Sequence, residues 1–427
     1  MKFMKTDDLK PGMRLAKPIY NKDGVLLYER NSALTSPGIS SVKNFGLIGI
    51  YILEPAEPLP PFSREDQIFE QLQTVYMFKL RECVELIQKR KKLEPLHTFV
   101  NDIVKHYGRL DHRVNFNQNL RSGEDFMYKH SISMAILVTM MTAYLKYPAP
   151  KQLAMVTAAL LYDIGYIYVP KPIMEKGSDE LSAADRDLVQ QSLERGLTSL
   201  APYRNDYEYF PLALALMQNY VYADHPDKFA LSNDKDIMGM INLLRVADQF
   251  DQMTAMNVGH EPVSEIAAMR SLKKDPKRYP TLYVSALAQC IHIVPHAANV
   301  DLSTGDTGIV LVENNIDFMR PIVLRLSNNT IYDLSQDDVY KEIQILDIMK
   351  TMDNRIAVDD ETIKQFVPDP ELQKMTQKMR SSRQKAAAKQ TAAKSAAINA
   401  AMKNAAAKSS AAKGTAVKKT VVKNIAK

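Results

Sequence analysis

The sequence predicts a mainly α-helical protein that has a small β-rich module before the helices and a β-rich extension after them. Apolar residues recur at helical spacing from residue 63 to about residue 269, which indicates a helical domain. Turn residues combined with alternating apolar residues favour strands in residues 1–54 and between about residues 280 and 335. Residues 374–427 are low in complexity and lack an apolar stripe, so they predict a disordered or frayed-helix basic tail.

The composition is typical of a soluble protein in a reducing compartment. Its 427 residues are 46% hydrophobic and 24% charged, which suits roughly two to four domains. The two cysteines, Cys83 and Cys290, are far apart, which argues against a disulfide framework or a zinc–thiolate site. The N-terminus has no apolar signal region, and the longest apolar run, about residues 132–145, is short for a membrane span. We therefore expect a cytoplasmic protein with no membrane span.

Changes in composition divide the chain into five segments. In chain order these are a small β-rich module (1–54), a Pro-rich linker (55–62), a helical domain (63–270), a β-rich C-terminal extension (271–366) and a Lys/Ala-rich tail (367–427). Within the module, the run Asn21-Lys22-Asp23-Gly24 predicts a hairpin turn between two strands. The prolines of the linker predict a stiff connection.

The charge of the chain is divided unevenly between the body and the tail. Residues 374–427 contain 14 Lys and Arg, no Asp or Glu and no aromatic residue. This leaves 41 of the 55 basic residues and all 49 acidic ones in residues 1–373, a net charge of −8. A basic segment without aromatic side chains could bind nucleic acid or another polyanion without reading its sequence, or could act as a solubilising tether.

A single carboxylate, Asp163, follows an apolar run in the stretch AALLYDIGYIYVP. A carboxylate that is buried without a partner costs several kcal/mol, so Asp163 needs a partner or a metal ion. Two other predicted helices offer partners, because His130 and Asp248 each interrupt an apolar helical face. One His and two Asp from three helices could converge on a divalent cation. They could also form a hydrogen-bonded core triad, with Tyr162 and Arg245 as further partners.

The order His130, Tyr162-Asp163, Asp248 resembles the HD-GYP family, a branch of the HD phosphohydrolase superfamily. The stretches that carry the resemblance are YKHSISMAILV, LLYDIGYIYVP and VADQFDQMTA in the helical region, DDLKPGMRLAKPIY before it, and DLSTGDTGIVLVENN with MRPIVLRL after it. Together they cover about residues 5–335. The resemblance implies an HD-type helical bundle, a centre of two or three metal ions and hydrolysis of cyclic di-GMP.

On this resemblance, the residual family metal ligands are His130, Asp163 and Asp248. The histidine of the HD pair is replaced by Tyr162, and the lysine three residues after the aspartate by Tyr166. Tyrosine, with an ordinary pKa of about 10, is a poor substitute for imidazole as a metal ligand. The site would therefore hold one weakly bound divalent metal, such as Fe or Mn, or none. Three closely spaced tyrosines indicate a filled pocket: Tyr162, Tyr166 and Tyr168.

Other positions also depart from the family pattern. The family's next histidine falls on Ser192 if Gly196 is the matching glycine, and its paired histidines fall near Gln218 and Asn219. The GYP loop is reduced to Asp224-His225-Pro226. A two-metal mechanism must hold both cations and generate hydroxide at neutral pH, and most of the family's ligands for this task are replaced.

These departures predict a degenerate HD-GYP-like signalling protein, a pseudoenzyme without catalytic residues that binds a signalling protein or a cyclic dinucleotide. The first alternative is a metal-dependent phosphodiesterase that hydrolyses cyclic di-GMP or a related nucleotide. The second alternative is a nucleic-acid or polyanion binder that uses residues 374–427. Bound metal in purified protein would separate the first two functions. Salt-sensitive DNA binding that is lost on truncation would support the third.

Overall fold

The computed structural model describes residues 2–44, 49–53, 62–109, 112–116, 125–174, 176, 180–223, 225, 227–255 and 262–348. The predicted fold class is confirmed, because the described residues form twelve α-helices, ten of which lie between a small strand module and a five-stranded sheet. The basic tail lies outside the described residues, and so does the Pro-rich linker up to residue 61.

The N-terminal module combines a three-stranded sheet, a hairpin and one helix. Its elements are β1 (Lys2–Lys5), β2 (Arg14–Leu15), β3 (Ile19–Tyr20), β4 (Leu26–Tyr28), α1 (Ser36–Asn44) and β5 (Gly49–Leu53). The sheet has the antiparallel order β1-β5-β2, and β3 pairs with β4. The predicted hairpin turn is confirmed: the Asn21 side-chain oxygen accepts hydrogen bonds from the backbone N–H groups of Asp23 and Val25, each at 2.9 Å. Gly24 supplies the positive φ, 78°, that completes this turn.

The helical domain follows the linker. Its helices are α2 (Arg64–Gln88), α3 (Glu94–Tyr107), α4 (Phe126–Tyr144), α5 (Ala149–Leu161), α6 (Lys171–Met174), α7 (Ala183–Leu200), α8 (Phe210–Val221), α9 (Lys235–Thr254), α10 (Glu265–Lys274) and α11 (Thr281–Cys290). Short 3-10 helices span Ile164–Tyr168 and Ala201–Tyr203. The predicted boundary at residue 270 falls inside α10, and α11 packs on α4 and α9 together with the earlier helices.

Helix α4 is the central helix of this domain because it is apolar on nearly every side. It packs against α2, α3, α5, α9 and α11. Its methionines, which the sequence assigns to the core, are buried: Met134, Met140 and Met141. None of the helices in the described part of the chain combines the length and the hydropathy that a membrane crossing requires.

The C-terminal extension is an antiparallel sheet that packs on the last helices. Its elements are β6 (Asn299–Leu302), β7 (Thr307–Val312), β8 (Ile322–Arg325), β9 (Thr330–Asp333), α12 (Asp337–Glu342) and β10 (Ile345–Ile348). The strand order is β10-β6-β7-β8-β9. The Arg270 guanidinium on α10 donates hydrogen bonds to the carbonyl oxygens of Ile345 and Leu346 on the edge strand β10. These bonds tie the sheet to the helical domain.

Polar contacts attach the N-terminal module to α2. The Lys17 ammonium group forms a salt bridge with the Glu70 carboxylate, and both side chains are largely buried. The Gln71 side-chain amide donates a hydrogen bond of 2.6 Å to the Gly24 carbonyl in the hairpin turn. The module therefore rests on the middle of α2, next to the central helix of the bundle.

Candidate functional site

The candidate site lies where α4, α8, α9 and the end of α5 meet. His130 is in the second turn of α4, and Tyr162 and Asp163 follow the last residue of α5. Asp248 and Asp251 are three residues apart on α9, a spacing that places two side chains on the same face of a helix. The structure therefore brings together the three residues that the sequence selects, His130, Asp163 and Asp248, and adds Asp251 to them.

His130 is the centre of the cluster and is fully buried. Its Nδ1 atom lies 2.5 Å from the Asp251 Oδ2 atom. Its Nε2 atom lies 2.5 Å from the Tyr162 hydroxyl oxygen, 3.1 Å from Asp248 Oδ1 and 3.3 Å from Asp163 Oδ2. One imidazole ring therefore contacts three carboxylates and a phenol, which is a complete set of partners for both ring nitrogens.

Asp248 is held by hydrogen bonds from neutral donors as well as by His130. The Tyr162 hydroxyl donates to its Oδ1 atom at 3.0 Å, and the Gln252 side-chain amide donates to the same atom at 2.8 Å. The Tyr220 hydroxyl on α8 donates to its Oδ2 atom. These bonds fix both oxygens of a buried carboxylate, which offsets the cost of removing its charge from water.

Aromatic rings pack closely around the cluster. The Phe126 ring stacks on the His130 imidazole with a centroid distance of 5.5 Å, and its edge meets Tyr166 at 5.7 Å. The Tyr162 and Tyr220 rings are 5.0 Å apart in an edge-to-face arrangement. Of the three tyrosines that predict a filled pocket, Tyr162 and Tyr166 line the cluster. Tyr168 lies under Arg195, whose guanidinium carbon is 4.0 Å from the centroid of the Tyr168 ring.

Two glycines determine the path of the chain directly after Asp163. A side-chain β-carbon on Gly165 would lie 2.3 Å from the Leu193 Cα atom, and one on Gly196 would lie 2.5 Å from the Gly165 backbone nitrogen. The 3-10 helix and α7 thus touch backbone to backbone, and only glycine fits at this contact. This close packing positions Asp163 at the start of the 3-10 helix, beside His130.

Two of the positions that the resemblance assigns to the family's downstream histidines hold residues that bond to the backbone. Ser192 donates to the Leu188 carbonyl at 2.8 Å, one turn earlier on α7. Asn219 donates to the Ala215 carbonyl at 2.7 Å and accepts from the Ser232 backbone at 2.6 Å. The remnant of the GYP loop falls mostly outside the described residues, since only its central residue, His225, is described.

The carboxylates around His130 determine its charge. Burial alone lowers the pKa of His130, but the hydrogen bonds to Asp248 and Asp251 and the nearby charge of Asp163 raise this pKa to about 10. His130 is therefore protonated at neutral pH. Burial raises the pKa of Asp248, but its bonds with His130 and the two tyrosine hydroxyls outweigh burial and lower this pKa.

Asp163 differs from Asp248 because fewer groups offset its burial. Desolvation raises the pKa of Asp163 to about 7, with a further contribution from the Asp248 charge, although His130 acts in the opposite direction. Burial and the neighbouring carboxylates raise the pKa of Tyr162 well above its ordinary value, so its phenol stays neutral. At neutral pH the cluster therefore contains an imidazolium, an ionised Asp248, an Asp163 carboxyl group near its titration midpoint and neutral phenols.

This arrangement does not fit the two-metal centre that the resemblance implies. Two catalytic cations lie about 3.5–4 Å apart and need ligands on both sides. In the described part of the chain, no group of three or more His, Cys, Asp and Glu side chains is arranged to hold a metal ion. The Tyr162 hydroxyl lies 2.5 Å from His130 Nε2 and 3.0 Å from Asp248 Oδ1, so it contacts both of the atoms that a shared cation would bind.

Sequence reasoning missed two partners and misplaced one. Asp251 had a detectable signal, because it is three residues after Asp248 in the same predicted helix. Tyr220 had none, since its contact with Asp248 depends on how α8 crosses α9. Arg245 is not the partner that the sequence suggested: the hydrogen bond that the structure gives its guanidinium goes to Asn242 on the same helix, at 3.2 Å.

Comparison with known proteins shows what the helical domain is similar to. The HD domain family matches residues 116–280. A cyclic di-GMP phosphodiesterase of Pseudomonas aeruginosa, PA4108, is 23% identical over 210 residues, which are 48% of this chain and 49% of the relative. The chain thus matches about half the length of that curated relative. Among solved structures, Bd1817, an HDG"Y"P protein from Bdellovibrio bacteriovorus, aligns with a TM-score of 0.40 and 14% identity, covering 67% of this chain and 97% of that one.

Proposed function

We propose that the chain, whose residues 116–280 match the HD domain family, is a degenerate member of the HD-GYP branch of that family. It acts as a signalling module that binds a signalling protein or a cyclic dinucleotide without hydrolysing it. In this proposal the cluster of His130, Asp163, Asp248 and Asp251 has a structural role in place of a catalytic one.

The observation that carries the proposal is the position of the Tyr162 hydroxyl. Its oxygen lies 2.5 Å from His130 Nε2 and 3.0 Å from Asp248 Oδ1. A zinc ion bound to an imidazole nitrogen lies about 2.0–2.1 Å from it, so a cation of this kind and the phenol oxygen would compete for one space. A metal could be bound by Nε2 only if the buried Tyr162 ring moved away.

The charge of His130 supports the same proposal. Histidine binds metals as the neutral imidazole, whereas the surrounding carboxylates raise the pKa of His130 to about 10. Metal binding would therefore have to displace a proton that Asp251 and Asp248 stabilise. In metal sites a carboxylate often binds one nitrogen of a histidine while the other nitrogen binds the metal. Asp251 contacts His130 Nδ1 in this way, but Nε2 faces the Tyr162 phenol.

A second candidate function is a metal-dependent phosphodiesterase that acts on cyclic di-GMP or a related nucleotide. The similarity to the Pseudomonas aeruginosa cyclic di-GMP phosphodiesterase favours it. For this function the residual ligands His130, Asp163 and Asp248 would hold a cation such as Fe or Mn after Tyr162 had moved. The cation would supply the Lewis acidity and the activated water that hydrolysis needs.

Metal content and turnover measured together test these two functions. Protein purified from cells grown with Fe and Mn is analysed by mass spectrometry for bound metal, and its turnover of cyclic di-GMP is measured with added Mn²⁺ or Fe²⁺. We expect less than one metal per chain and no turnover. Turnover that Asp163→Ala abolishes would overturn the proposal and establish the phosphodiesterase.

A pair of variants at position 162 sharpens the test. Tyr162→His restores an imidazole at the position of the HD pair, whereas Tyr162→Phe removes the hydroxyl without adding a ligand. If Tyr162 is what excludes the metal, the histidine variant should retain more Mn²⁺ than the phenylalanine variant after gel filtration. Equal metal content in wild type and both variants would contradict the role given to Tyr162.

A third candidate, binding of nucleic acid or another polyanion, rests on the 14 positive charges of residues 374–427. DNA retention in gel-shift titrations should then fall steeply with salt and disappear when the chain is truncated after residue 373. Equal retention by the full and truncated chains would rule the tail out as the binding site. The cytoplasmic location expected from the sequence stays a prediction.

A further inference from the structure

A cavity of about 490 Å³ lies between the N-terminal module and the helical domain, away from the His130 cluster. The module contributes the β3–β4 hairpin and the start of β5, and the helical domain contributes the middle of α2 and the first turns of α4. Small-molecule sites typically measure about 300–1,000 Å³ and occur preferentially between domains. The size and the position of this cavity are those of a ligand site.

The wall of the cavity is rich in apolar and aromatic side chains. The module supplies Tyr20 and Tyr51, and α2 supplies Met77 and Phe78. Ile132 on α4 completes this part of the wall. Aromatic rings and a polarizable thioether offer good packing for a flat, apolar ring.

The wall of the cavity also contains ammonium groups that can donate hydrogen bonds to an anion. Three lysines line the cavity, Lys17, Lys22 and Lys129, against two carboxylates, Asp23 and Glu70. Lys17 is paired with Glu70, and Lys129 is paired with Asp125 just behind the wall, so the lysines of the wall stand beside carboxylates. An ammonium group has three N–H donors, so a lysine in an ion pair can also donate to the anionic group of a ligand.

Lys17 places an ammonium group next to an aromatic ring of the wall. Its ammonium group lies 5.2 Å from the Tyr51 ring centroid and forms the salt bridge with Glu70. The side chains of Lys17 and Glu70 are only 12% and 9% exposed. This pair is therefore a fixed element of the wall, unlike a mobile surface pair.

The cavity also reaches the helix that carries His130. Lys129, whose ammonium group lies 2.6 Å from the Asp125 carboxylate, and Ile132 both line it. Ile132 follows His130 by two residues, about 200° around an α-helix, so the two side chains point to opposite sides of α4. A molecule in the cavity would therefore press on α4 from the side opposite the His130 cluster.

We propose that this cavity is a binding site for a small organic anion that carries a flat ring, such as an aromatic carboxylate or an aromatic phosphate monoester. The ring packs between Tyr51, Phe78 and Met77, and the anionic group lies toward Lys17 and Lys129. The N-terminal module then acts as a ligand-binding domain that contacts α4. This site is independent of the function proposed for the His130 cluster.

Isothermal titration calorimetry on the full chain tests this site with four probes. 2-Naphthoate and 1-naphthyl phosphate combine a ring with an anion, 2-naphthalenemethanol has the ring alone, and inorganic phosphate has the anion alone. We expect saturable binding of one or both ring anions with one site per chain, and at least tenfold weaker binding of the other two probes. The ring anion that binds more tightly shows whether the site prefers a carboxylate or a phosphate. Failure of both ring anions to bind at 1 mM, or equal binding of the neutral ring, would overturn the proposal.

A double variant locates the site. Lys17→Met with Glu70→Met removes the charged pair and keeps side chains of similar length, a change that proteins often tolerate. The control pair, Lys89→Met with Glu85→Met, removes an exposed salt bridge of 3.0 Å at the C-terminal end of the same helix. The first variant should weaken the ring anion at least tenfold, and the control should bind like wild type. Equal affinity in both variants would overturn the assignment.

A second variant keeps the test informative if the double variant does not fold. Phe78 is half-buried and its ring lines the cavity. Phe78→Ala should weaken binding of the ring anion at least tenfold while far-UV circular dichroism stays that of wild type. Unchanged affinity in a folded Phe78→Ala protein would show that the anion binds elsewhere.

Discussion

Replacing Asp251 by alanine should destabilise the helical domain strongly. Asp251 and His130 are both fully buried, and their Oδ2 and Nδ1 atoms are 2.5 Å apart. The variant leaves an imidazolium without the carboxylate that holds its Nδ1 proton. Breaking a buried ion pair from one side costs about 3–5 kcal/mol, because the remaining charge has lost its compensation.

The other carboxylates reduce this cost. Asp248 and Asp163 stay 3.1 Å and 3.3 Å from the His130 Nε2 atom, so the imidazolium keeps the Asp248 carboxylate and a partly ionised Asp163 as neighbours. We therefore expect the lower end of the range, about 3 kcal/mol. For a domain of this size, that corresponds to a fall in melting temperature of about 6–12 °C. Asp251→Asn should cost less, because its amide oxygen still accepts the Nδ1 hydrogen bond.

The assay is thermal unfolding followed by far-UV circular dichroism, since the chain contains no tryptophan. Asp236→Ala is the matched control: it removes a carboxylate from the same helix, α9, whose side chain is 77% exposed and pairs with Lys151 at 3.0 Å. Exposed pairs contribute about 0–1 kcal/mol, so this control should melt nearly like wild type. If Asp251→Ala melted no lower than Asp236→Ala, the structural role given to the His130 cluster would be refuted.

Three further changes test the same site. Tyr162→Phe removes the hydroxyl that joins His130 and Asp248 and should cost about 1.5–3 kcal/mol in urea unfolding; an unchanged midpoint would contradict this contact. Gly196→Ala should lower the melting temperature by separating α7 from the 3-10 helix, whereas Gln191→Ala on the exposed face of α7 should not. The free energy of unfolding should fall between pH 7 and 9, because the folded pKa of His130 is raised to about 10. In the unfolded chain the pKa of His130 is about 6.5, so above that pH only the folded chain holds the proton. The stabilisation that the proton provides is therefore lost as the pH rises toward about 10. The free energy of unfolding of His130→Gln should change less with pH, and an equal change would contradict the assignment.

The sequence by itself determined the features that depend on local patterns. The apolar spacing identified the helical domain, and the run Asn21-Lys22-Asp23-Gly24 identified the hairpin turn, because a helix face and a tight turn are set by residues a few positions apart. The same reasoning brought His130, Asp163 and Asp248 together. Each interrupts or ends an apolar face that must be buried, and buried polar groups must find one another.

Only the tertiary structure decided which partners these residues have. Asp251 meets the His130 Nδ1 atom, and Tyr220 meets Asp248, because of the rotation of α9 and the angle at which it packs on α4 and α8. The placement of the Tyr162 hydroxyl beside Nε2, on which the proposed exclusion of a cation rests, depends on the same packing. The cavity beside α4 joins the module to α2 and α4 across large sequence separations. Sequence patterns report which face of a helix is buried, but contacts between distant segments follow from how whole elements dock, and that depends on the complete core.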